Sequence, residues 1–396
     1  MKPAFLTRLT ALLAAICMTS CSSLEKMDMG AGGLAMSPGD SNENGNGNGA
    51  GIITAGEWND LDNWDFWKAL LAGQNQEQEQ QAEVYGKHLE YWEFSTDIRI
   101  PVTITDNQDN PVCGAKVALY RDNESQPIWT AVSDNKGSAE LWDRFLAGAY
   151  ATEVHSYSIS VNGAKAADQV TPNTECTIKV SATSTADKTV DIAFIVDATG
   201  SMSDEIQFLK DDMMDILNKV KVLQSDKKFR TGALFYRDES DEYLTKHDNF
   251  SNDPAVTLNF IKKQDARGGG DYPEAVHSAL EMTLQNLSWT EGGYARLAFL
   301  ILDAPPHHNQ EVIGSIQKSI KQFAAQGIKI IPVSASGIDK GTEALLRLMA
   351  IFTDGTYVFI TNDSGVGNDH IVPSVGEYQV ESLNSLIVRL INKYSE

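Results

Sequence analysis

The chain has 396 residues, of which 42% are hydrophobic and 22% are charged. This length and balance are typical of a globular protein with two or three domains and not of a disordered chain. Its 32 basic and 54 acidic residues give a formal net charge of −22. That charge argues against binding to nucleic acid phosphates and to an anionic membrane surface, whereas it suits solubility and the attraction of cations.

The amino terminus has the layout of an export signal. Lys2 and Arg8 precede an apolar run, Leu9–Met18, which is too short to span a membrane comfortably. The run ends in Met18-Thr-Ser-Cys21, which resembles the lipobox of bacterial lipoproteins and makes Cys21 the residue to be acylated. We therefore expect residues 1–20 to be a signal peptide and the protein to be lipid-anchored in the bacterial cell envelope, at the outer membrane. A plain secretory peptide is the alternative.

The four cysteines divide by position. Cys17 would leave with the signal and Cys21 would carry lipid, which leaves Cys113 and Cys176 in the folded part. Two thiols in an exported protein favour one disulfide, and both fall in the same predicted β region. Two separately buried thiols are the alternative.

Two segments connect the signal to the folded part. Residues 21–55 are polar and rich in glycine and asparagine, so we expect a flexible tether. Residues 56–93 begin with an aromatic cluster and continue into a Gln/Glu-rich stretch. The cluster has the composition of a carbohydrate or partner platform. Exposed aromatic patches are uncommon, however, so we expect Trp58, Trp64 and Trp67 to pack on the following domain.

Residues 94–185 have the pattern of a small all-β module. Alternating apolar stretches between turn residues predict five strands: Ile98–Thr105, Ala115–Tyr120, Ile128–Val132, Ser156–Val161 and Cys176–Val180. The module resembles prealbumin-like or carboxypeptidase-regulatory-like β-sandwiches at five positions: Asp106, Pro111, Val112, Gly114 and Ala115. The resemblance implies a spacer or binding domain without catalysis.

From residue 188 to residue 396, buried strands alternate with amphipathic helices. This alternation predicts an α/β domain with a doubly wound, mostly parallel sheet covered on both faces. The expected strands are Val190–Val196, Phe229–Tyr236, Ala295–Leu302, Ile328–Val333 and Thr356–Ile360. The expected helices begin at Ser203, cover Pro273–Leu287 and 312–323, and include a closing helix over 380–394.

One motif follows the first of these strands directly. Asp197, Thr199 and Ser201 offer a carboxylate and two hydroxyls at alternate positions, and such oxygen ligands suit Mg²⁺ or Ca²⁺ rather than Zn²⁺. A plain helix start is the alternative. Asp303 follows another buried strand, and strands beside the switch point of a doubly wound sheet share one crevice at their carboxyl ends. We therefore expect the two aspartates to face one cleft.

A third loop, Gly268–Glu274, enters a helix, and its glycines permit a close backbone approach to the same place. Together the three loops resemble the metal-ion-dependent adhesion site of von Willebrand factor A (VWA) domains, which are Rossmann-like. That family site combines Asp-x-Ser/Thr-x-Ser, matched by the Asp197 motif, with a threonine on a second loop and an aspartate on a third, matched by Asp303. Gly270 stands at the threonine position, with Asp271 beside it. Whether Asp271 approaches the metal directly or through water stays open.

The resemblance implies a bound Mg²⁺, with Mn²⁺ or Ca²⁺ as alternatives. In the adhesion family an Asp or Glu carboxylate of a protein partner completes the coordination sphere. We therefore expect adhesion or complex assembly, and no enzyme activity.

Two other classes of function stay open. A metal-dependent hydrolase would use the same cleft with His307 and His308, but adjacent histidines seldom point the same way. Neither His-Glu-x-x-His nor Gly-x-Ser-x-Gly occurs in the chain. We therefore interpret these histidines as a polar rim that contacts a partner. A purely structural envelope lipoprotein is the other class.

Overall fold

The described part of the chain begins at residue 53. The computed structural model describes residues 53–73, 85–122, 124–146, 155–167, 169–181, 184, 187–364 and 370–396. They belong to one unit, Gly49–Glu396. The predicted signal, Cys17, the lipidation site Cys21 and most of the predicted tether lie outside the described residues. Within the described ranges, no helix is long and apolar enough to cross a membrane.

A mixed sheet of eight strands, counted over the described ranges, forms the centre of the α/β part. In chain order its strands are β1 (Thr54–Trp58), β9 (Asp187–Asp197), β10 (Lys228–Tyr236), β11 (Thr245–Ser251), β12 (Gly293–Leu302), β13 (Ile328–Ser334), β14 (Tyr357–Ile360) and β15 (Glu381–Ser382). Their spatial order is β11-β10-β9-β12-β13-β14-β1-β15. The pairings from β10 to β14 are parallel, whereas those of β11, β1 and β15 are antiparallel.

Helices cover both faces of this sheet, as a parallel sheet requires. One face carries α3 (Ser203–Leu223), α4 (Pro254–Ile261) and α8 (Leu383–Ser395). The other carries α1 (Trp64–Leu71), α2 (Gly86–Tyr91), α5 (Val276–Asn286), α6 (Gln310–Ala325) and α7 (Lys340–Phe352). The apolar run of β9 serves both faces, because Phe194 and Val196 point into the first core and Ile195 into the second.

The sheet order places the switch point at β9. The chain runs from β9 to β10 on one side and then crosses to β12 on the other side of β9. In the β9–β12 pairing Ile301 lies opposite Val196, so Asp197 and Asp303 follow neighbouring strands at the same edge. The expected crevice at the carboxyl ends of these strands is therefore where the two aspartates meet.

The segment 56–93 is not a connector between domains, which corrects its predicted role. Strand β1 pairs with β14 and β15 and so belongs to the α/β sheet, and the predicted tether ends before residue 55. Arg347 of α7 makes a two-armed ion pair with Asp60, at 2.5 and 2.9 Å, and both side chains are buried. Since a buried charge must keep its partner, this pair fixes the segment to the domain.

The three tryptophans Trp58, Trp64 and Trp67 pack inward, as predicted. Trp67 is fully buried, and its Nε1 donates a hydrogen bond to Thr96 Oγ1 at 3.0 Å. The half-buried Trp64 lies 5.7 Å from Trp142, centroid to centroid. Trp142 in turn contacts Phe352 of α7 at 5.0 Å. The aromatic cluster is thus core, and the platform interpretation is wrong for these residues.

The region between residues 98 and 179 is rich in strands and contains two small sheets. The first has the order β5-β2-β8 and the second β4-β3-β6-β7. Their strands are β2 (Ile98–Thr105), β3 (Lys116–Arg121), β4 (Trp129–Val132), β5 (Ser138–Asp143), β6 (Tyr157–Val161), β7 (Ala164–Ala167) and β8 (Cys176–Lys179). All five predicted strands are present, and β5 and β7 are additional. The inner side chains of this region share one apolar cluster with α6 and α7, so the two parts of the chain have a common core.

The disulfide that the sequence favoured between Cys113 and Cys176 is absent, and both residues are free thiols. Cys113 is buried, and its Sγ lies 3.4 Å from the Tyr294 carbonyl oxygen at the start of β12. Cys176 lies instead on β8, opposite Val102 of β2. Because the two side chains serve different contacts, the alternative of two separate thiols is the correct one. Burial raises the pKa of Cys113 to about 11, which keeps its thiol protonated.

Helix α7 and the β11–α4 unit were not predicted. Every residue from Thr342 to Phe352 is buried, including Glu343 and Arg347, whose charges lie 3.7 Å apart. Strand β11, Thr-Lys-His-Asp-Asn-Phe-Ser, is a polar edge strand with no fully buried side chain and so lacks a strand pattern. The helix predicted from Pro273 starts later, at Val276.

Replacement of Trp67 should show that this segment is part of the core. We expect Trp67→Ala to lower the free energy of unfolding by about 3–5 kcal/mol, because it empties a buried indole site. Leu223→Ala is the control, since Leu223 is 61% exposed and should stay within about 0.5 kcal/mol of the wild type. Urea unfolding measures both variants. A Trp67→Ala value equal to that of the control would contradict the packing described above.

Candidate metal site

Asp197 is held by its own motif at the end of β9. Its Oδ1 accepts hydrogen bonds from the Thr199 backbone N at 2.9 Å and from Thr199 Oγ1 at 2.8 Å. Such a turn, in which an aspartate bonds the residue two positions later, fixes the loop locally. Asp197 is fully buried, and its Oδ2 makes no hydrogen bond of good geometry with a described group, although the buried Tyr236 hydroxyl lies near enough to lower the pKa of the carboxyl. One buried carboxylate oxygen therefore lacks a well-formed hydrogen bond.

Asp303, which follows strand β12, is the neighbouring carboxylate. Its side chain is 6% exposed, and its Oδ1 also lacks a hydrogen-bond partner among the described residues. The Ser201 hydroxyl lies close enough to favour the ionised form of Asp303. The predicted set of Asp197, Thr199, Ser201 and Asp303 is thus brought to one edge of the sheet.

The glycine loop lies against the motif. Gly268 and Gly269 have φ values of +83° and +75°, which favour glycine over any other residue. A Cβ on Gly268 would lie 2.1 Å from Asp241 Oδ1, and the Gly269 N–H donates to the same carboxylate at 3.1 Å. The Gly200 N–H in turn donates to the Gly268 carbonyl oxygen at 3.3 Å. The loop can approach the motif this closely only because these side chains are missing.

Two arginines hold the motif loop through hydrogen bonds to its backbone. The Ala198 carbonyl oxygen accepts a hydrogen bond from Arg237 Nε at 3.1 Å and from the Arg267 backbone N at 3.0 Å. Arg237 is buried and also donates to the Asp265 carbonyl oxygen at 2.9 Å. The motif loop is therefore positioned by backbone contacts that do not use its ligand side chains.

An open cleft of about 490 Å³ lies over this edge of the sheet, and Thr199, Ser201, Asp271 and Asp303 line it. Asp271 is exposed. Tyr272, 46% exposed, hydrogen-bonds the Gly337 carbonyl oxygen at 2.9 Å across the cleft. The cleft is large enough to admit side chains of another molecule, and Tyr272 is an aromatic rim residue that sequence reasoning missed.

Sequence reasoning also missed two buried glutamates. Glu274, the last residue of the glycine loop, is 3% exposed, lines the cleft and has an Oε2 without a partner among the described residues. Glu205, in the first turn of α3, is 5% exposed. Their positions in the sequence, after a proline and inside a predicted helix start, gave no sign of burial. From the sequence alone, a glutamate that the fold buries at a cleft cannot be distinguished from a solvated glutamate in a polar loop.

Burial raises the pKa values of four carboxyl groups at this edge, and for three of them the charges of neighbouring acids add to the rise. Burial raises the pKa of Asp197 from 3.8 to about 7, and the charge of Asp303 adds to the rise. Burial also raises the pKa of Asp303 and brings that of Glu205 to about 7. The pKa of Glu274 increases from 4.5 to about 9, through burial first and then the charge of Asp197. A cation at this edge would oppose all four shifts.

The two histidines do not form a rim of the cleft, which corrects that interpretation. His307 Nε2 lies 2.7 Å from Asp238 Oδ1. His308 stacks on Tyr91 at 3.7 Å between ring centroids, and its Nε2 lies 2.8 Å from the Tyr91 carbonyl oxygen. Neither is among the described residues that line the cleft. As expected for adjacent histidines, the two side chains point to different partners.

The donor set fits a cation held partly by hydroxyls and water. Within the described ranges, no group of three or more histidine, cysteine, aspartate or glutamate side chains is spaced to hold a metal ion alone. The unpartnered oxygens of Asp197 and Asp303, together with the Thr199 and Ser201 hydroxyls, are the hard donors that Mg²⁺ accepts while it keeps several waters.

Comparison with known proteins points to one domain family for this part of the chain. Residues 191–340, less than half of the sequence, match the family model of the von Willebrand factor A domain. The matched stretch contains Asp197, Thr199, Ser201, Asp271 and Asp303. The match supports a VWA domain here, with the α/β fold that such a domain implies.

Two relatives are similar over about a third of the chain. An ariadne-like RING finger protein of Acanthamoeba polyphaga mimivirus is 28% identical over 131 residues, which are 33% of this chain and 12% of the relative. Alpha-protein kinase vwkA of Dictyostelium discoideum is 30% identical over 125 residues, which are 31% of this chain and 19% of the relative. The chain spans less than a fifth of either relative, so the similarity concerns a shared region only.

The raised pKa values predict how stability depends on pH. Since the folded pKa of Asp197 and of Glu274 lies above the unfolded one, the folded state holds protons that the unfolded state releases. In chelator, the free energy of unfolding should therefore fall as pH rises from about 5 to about 8. Mg²⁺ should reduce this fall, because it favours the ionised carboxylates.

Urea unfolding across this pH range, with chelator and with Mg²⁺, measures the effect. Asp197→Asn should flatten the slope in chelator, because it removes one of the buried acids. Asp211→Asn is the matched control on α3, since Asp211 is exposed and bonded only to Gln207 Nε2 at 2.9 Å. A free energy that rises over this interval in chelator would contradict the shifts.

Proposed function

We propose that the cleft binds a divalent cation, Mg²⁺ first and Mn²⁺ or Ca²⁺ as alternatives, and that the protein uses it to bind a partner. The observation that carries the proposal is the pair of buried carboxylates, Asp197 and Asp303, each with an oxygen that no described group bonds. They follow adjacent parallel strands beside an open cleft. Protein binding is the role that a VWA domain suggests.

Asp197, Thr199, Ser201 and Asp303 would hold the cation. When bound, it supplies a positive centre that accepts a further oxygen ligand, such as an Asp or Glu carboxylate of the partner protein. The chain's own residues prepare this edge. Asp197 orients Thr199 through two hydrogen bonds, and Ser201 favours the ionised Asp303.

The proposal assigns adhesion or complex assembly to the cleft, and no catalysis. The hydrolase alternative depends on His307 and His308, whose described contacts are with Asp238 and Tyr91. The alternative of a purely structural lipoprotein gives no reason for buried carboxylates with unpartnered oxygens. Both observations favour cation-dependent binding over its rivals.

We further propose that Cys21 carries the lipid that anchors the protein in the bacterial cell envelope, at the outer membrane. This part rests on the sequence of residues 1–21 alone. The partner would then be a protein of the same compartment.

Partner binding should require both the cation and Asp197. We expect the full chain to retain a protein from an envelope extract in Mg²⁺ and to lose it in chelator. Asp197→Asn should reduce retention by about 10-fold or more, because it removes a carboxylate of the cation site. Asp211→Asn, with an exposed carboxylate on α3, should bind as the wild type does.

Quantitative pull-down with the three proteins, each in Mg²⁺ and in chelator, tests this expectation. Binding that is equal in chelator and in Mg²⁺ would sink the proposal. Retention by the Asp197→Asn variant at the wild-type level would do the same.

A further inference from the structure

We propose that Glu274, and not Asp271, is the residue of the glycine loop whose carboxylate faces the bound cation, directly or through one water. This inference rests on the proposed function, since it assumes a cation at the cleft. The family pattern has a threonine on this loop, and Gly270 stands at its place with the acidic Asp271 next to it. The choice between the two acidic residues is therefore made by the fold.

The side chain of Glu274 points into the site from below the loop. It is 3% exposed and yet lines the cleft. A Cβ built on Gly269 would lie 3.2 Å from Glu274 Oε1 and 3.3 Å from Thr199 Cβ. The absent side chain of Gly269 thus leaves the Glu274 carboxylate beside the motif residue Thr199.

The backbone holds Glu274 in this position. Its N–H donates to the Pro305 carbonyl oxygen at 2.8 Å, and it forms a parallel bridge with Pro306. Both prolines follow Asp303 in the same loop. Helix α5 begins two residues later, at Val276. The backbone segments that carry Glu274 and Asp303 are therefore linked to each other.

Asp271 has the opposite environment. It is exposed at the mouth of the cleft, so water solvates its carboxylate and weakens its pull on a cation. A buried carboxylate without a partner is costly in free energy, and a bound cation removes that cost. Glu274 Oε2 is such a group among the described residues. The same physics that penalises Glu274 without a cation makes it the stronger determinant of cation affinity.

A water between the cation and one carboxylate fits this geometry. Within the described ranges no three acidic side chains are spaced to hold one ion together, so one of Asp197, Asp303 and Glu274 would reach it through water without any rearrangement of the site. Mg²⁺ and Mn²⁺ accept such an arrangement because they keep several waters when bound to protein. A third buried negative charge lets the site retain its cation without a partner.

Cation affinity separates the two acidic residues of the loop. We expect Glu274→Gln in the full chain to weaken the binding of Mn²⁺ alone by about 10-fold or more, as loss of a carboxylate near a metal does. Asp271→Asn is the matched control, with a change of less than about threefold, because an exposed charge is screened. Isothermal titration calorimetry of wild type, Asp197→Asn and the two loop variants measures the four affinities.

A stability measurement distinguishes this role from a structural one. Without a cation, Glu274→Gln should unfold at the same temperature as the wild type or higher, because the amide replaces an acid whose ionised form is opposed by burial. A lower unfolding temperature in chelator would assign Glu274 to the structure of the loop and overturn the inference.

The remaining outcomes keep the two proposals apart. A wild type that binds no Mn²⁺, or binds it as Asp197→Asn does, overturns the proposed function and this inference with it. If the wild type binds Mn²⁺, Asp197→Asn loses this binding and Glu274→Gln keeps it, only the inference is overturned. A larger loss in Asp271→Asn than in Glu274→Gln assigns the role to Asp271.

Discussion

The burial of the Asp197 carboxylate at the carboxyl end of β9 is the constraint on which the site depends. Strand β9 lies between β10 and β12 in the middle of the parallel pairings, and its last residue, Asp197, is fully buried. Thr199 satisfies one carboxylate oxygen and leaves the other. The parallel register then brings Asp303 to the same edge, and the glycine loop adds Glu274. Each added acid raises the cost of the others' ionisation.

The stability of the fold alone does not favour the burial of several carboxylates at one edge of the sheet. Carboxylates buried without partners lower the stability of the folded state, whereas a bound divalent cation stabilises it in proportion to its affinity. If the cleft binds a cation as proposed, stability and cation binding are linked through the same three carboxylates, those of Asp197, Asp303 and Glu274. A site of this kind is expected where ligand binding, and not the core, is what the residues serve, which agrees with the protein-binding role that a VWA domain suggests.

The region before the α/β domain contributes to the same rigid structure. Strand β1 lies in the large sheet, Arg347 pairs with Asp60, and the strand-rich region shares its apolar cluster with α6 and α7. The described residues of segment 56–93 therefore pack directly on the domain that carries the cleft. His308 adds a further contact between this segment and the α/β domain, because its ring stacks on Tyr91 of α2.

Local periodicity in the amino-acid sequence was enough to predict most strands and helices of the α/β domain, and with them the α/β class and the loops that carry Asp197, Thr199, Ser201 and Asp303. These features depend on local pattern and on the general rule for parallel sheets. Only the tertiary structure decided that β1 joins the sheet, that α7 is a helix buried on all sides, that Cys113 and Cys176 stay apart, and that Glu274 rather than Asp271 is buried at the cleft. Each of these depends on which distant surface covers a residue, and burial of that kind leaves no mark in the local sequence.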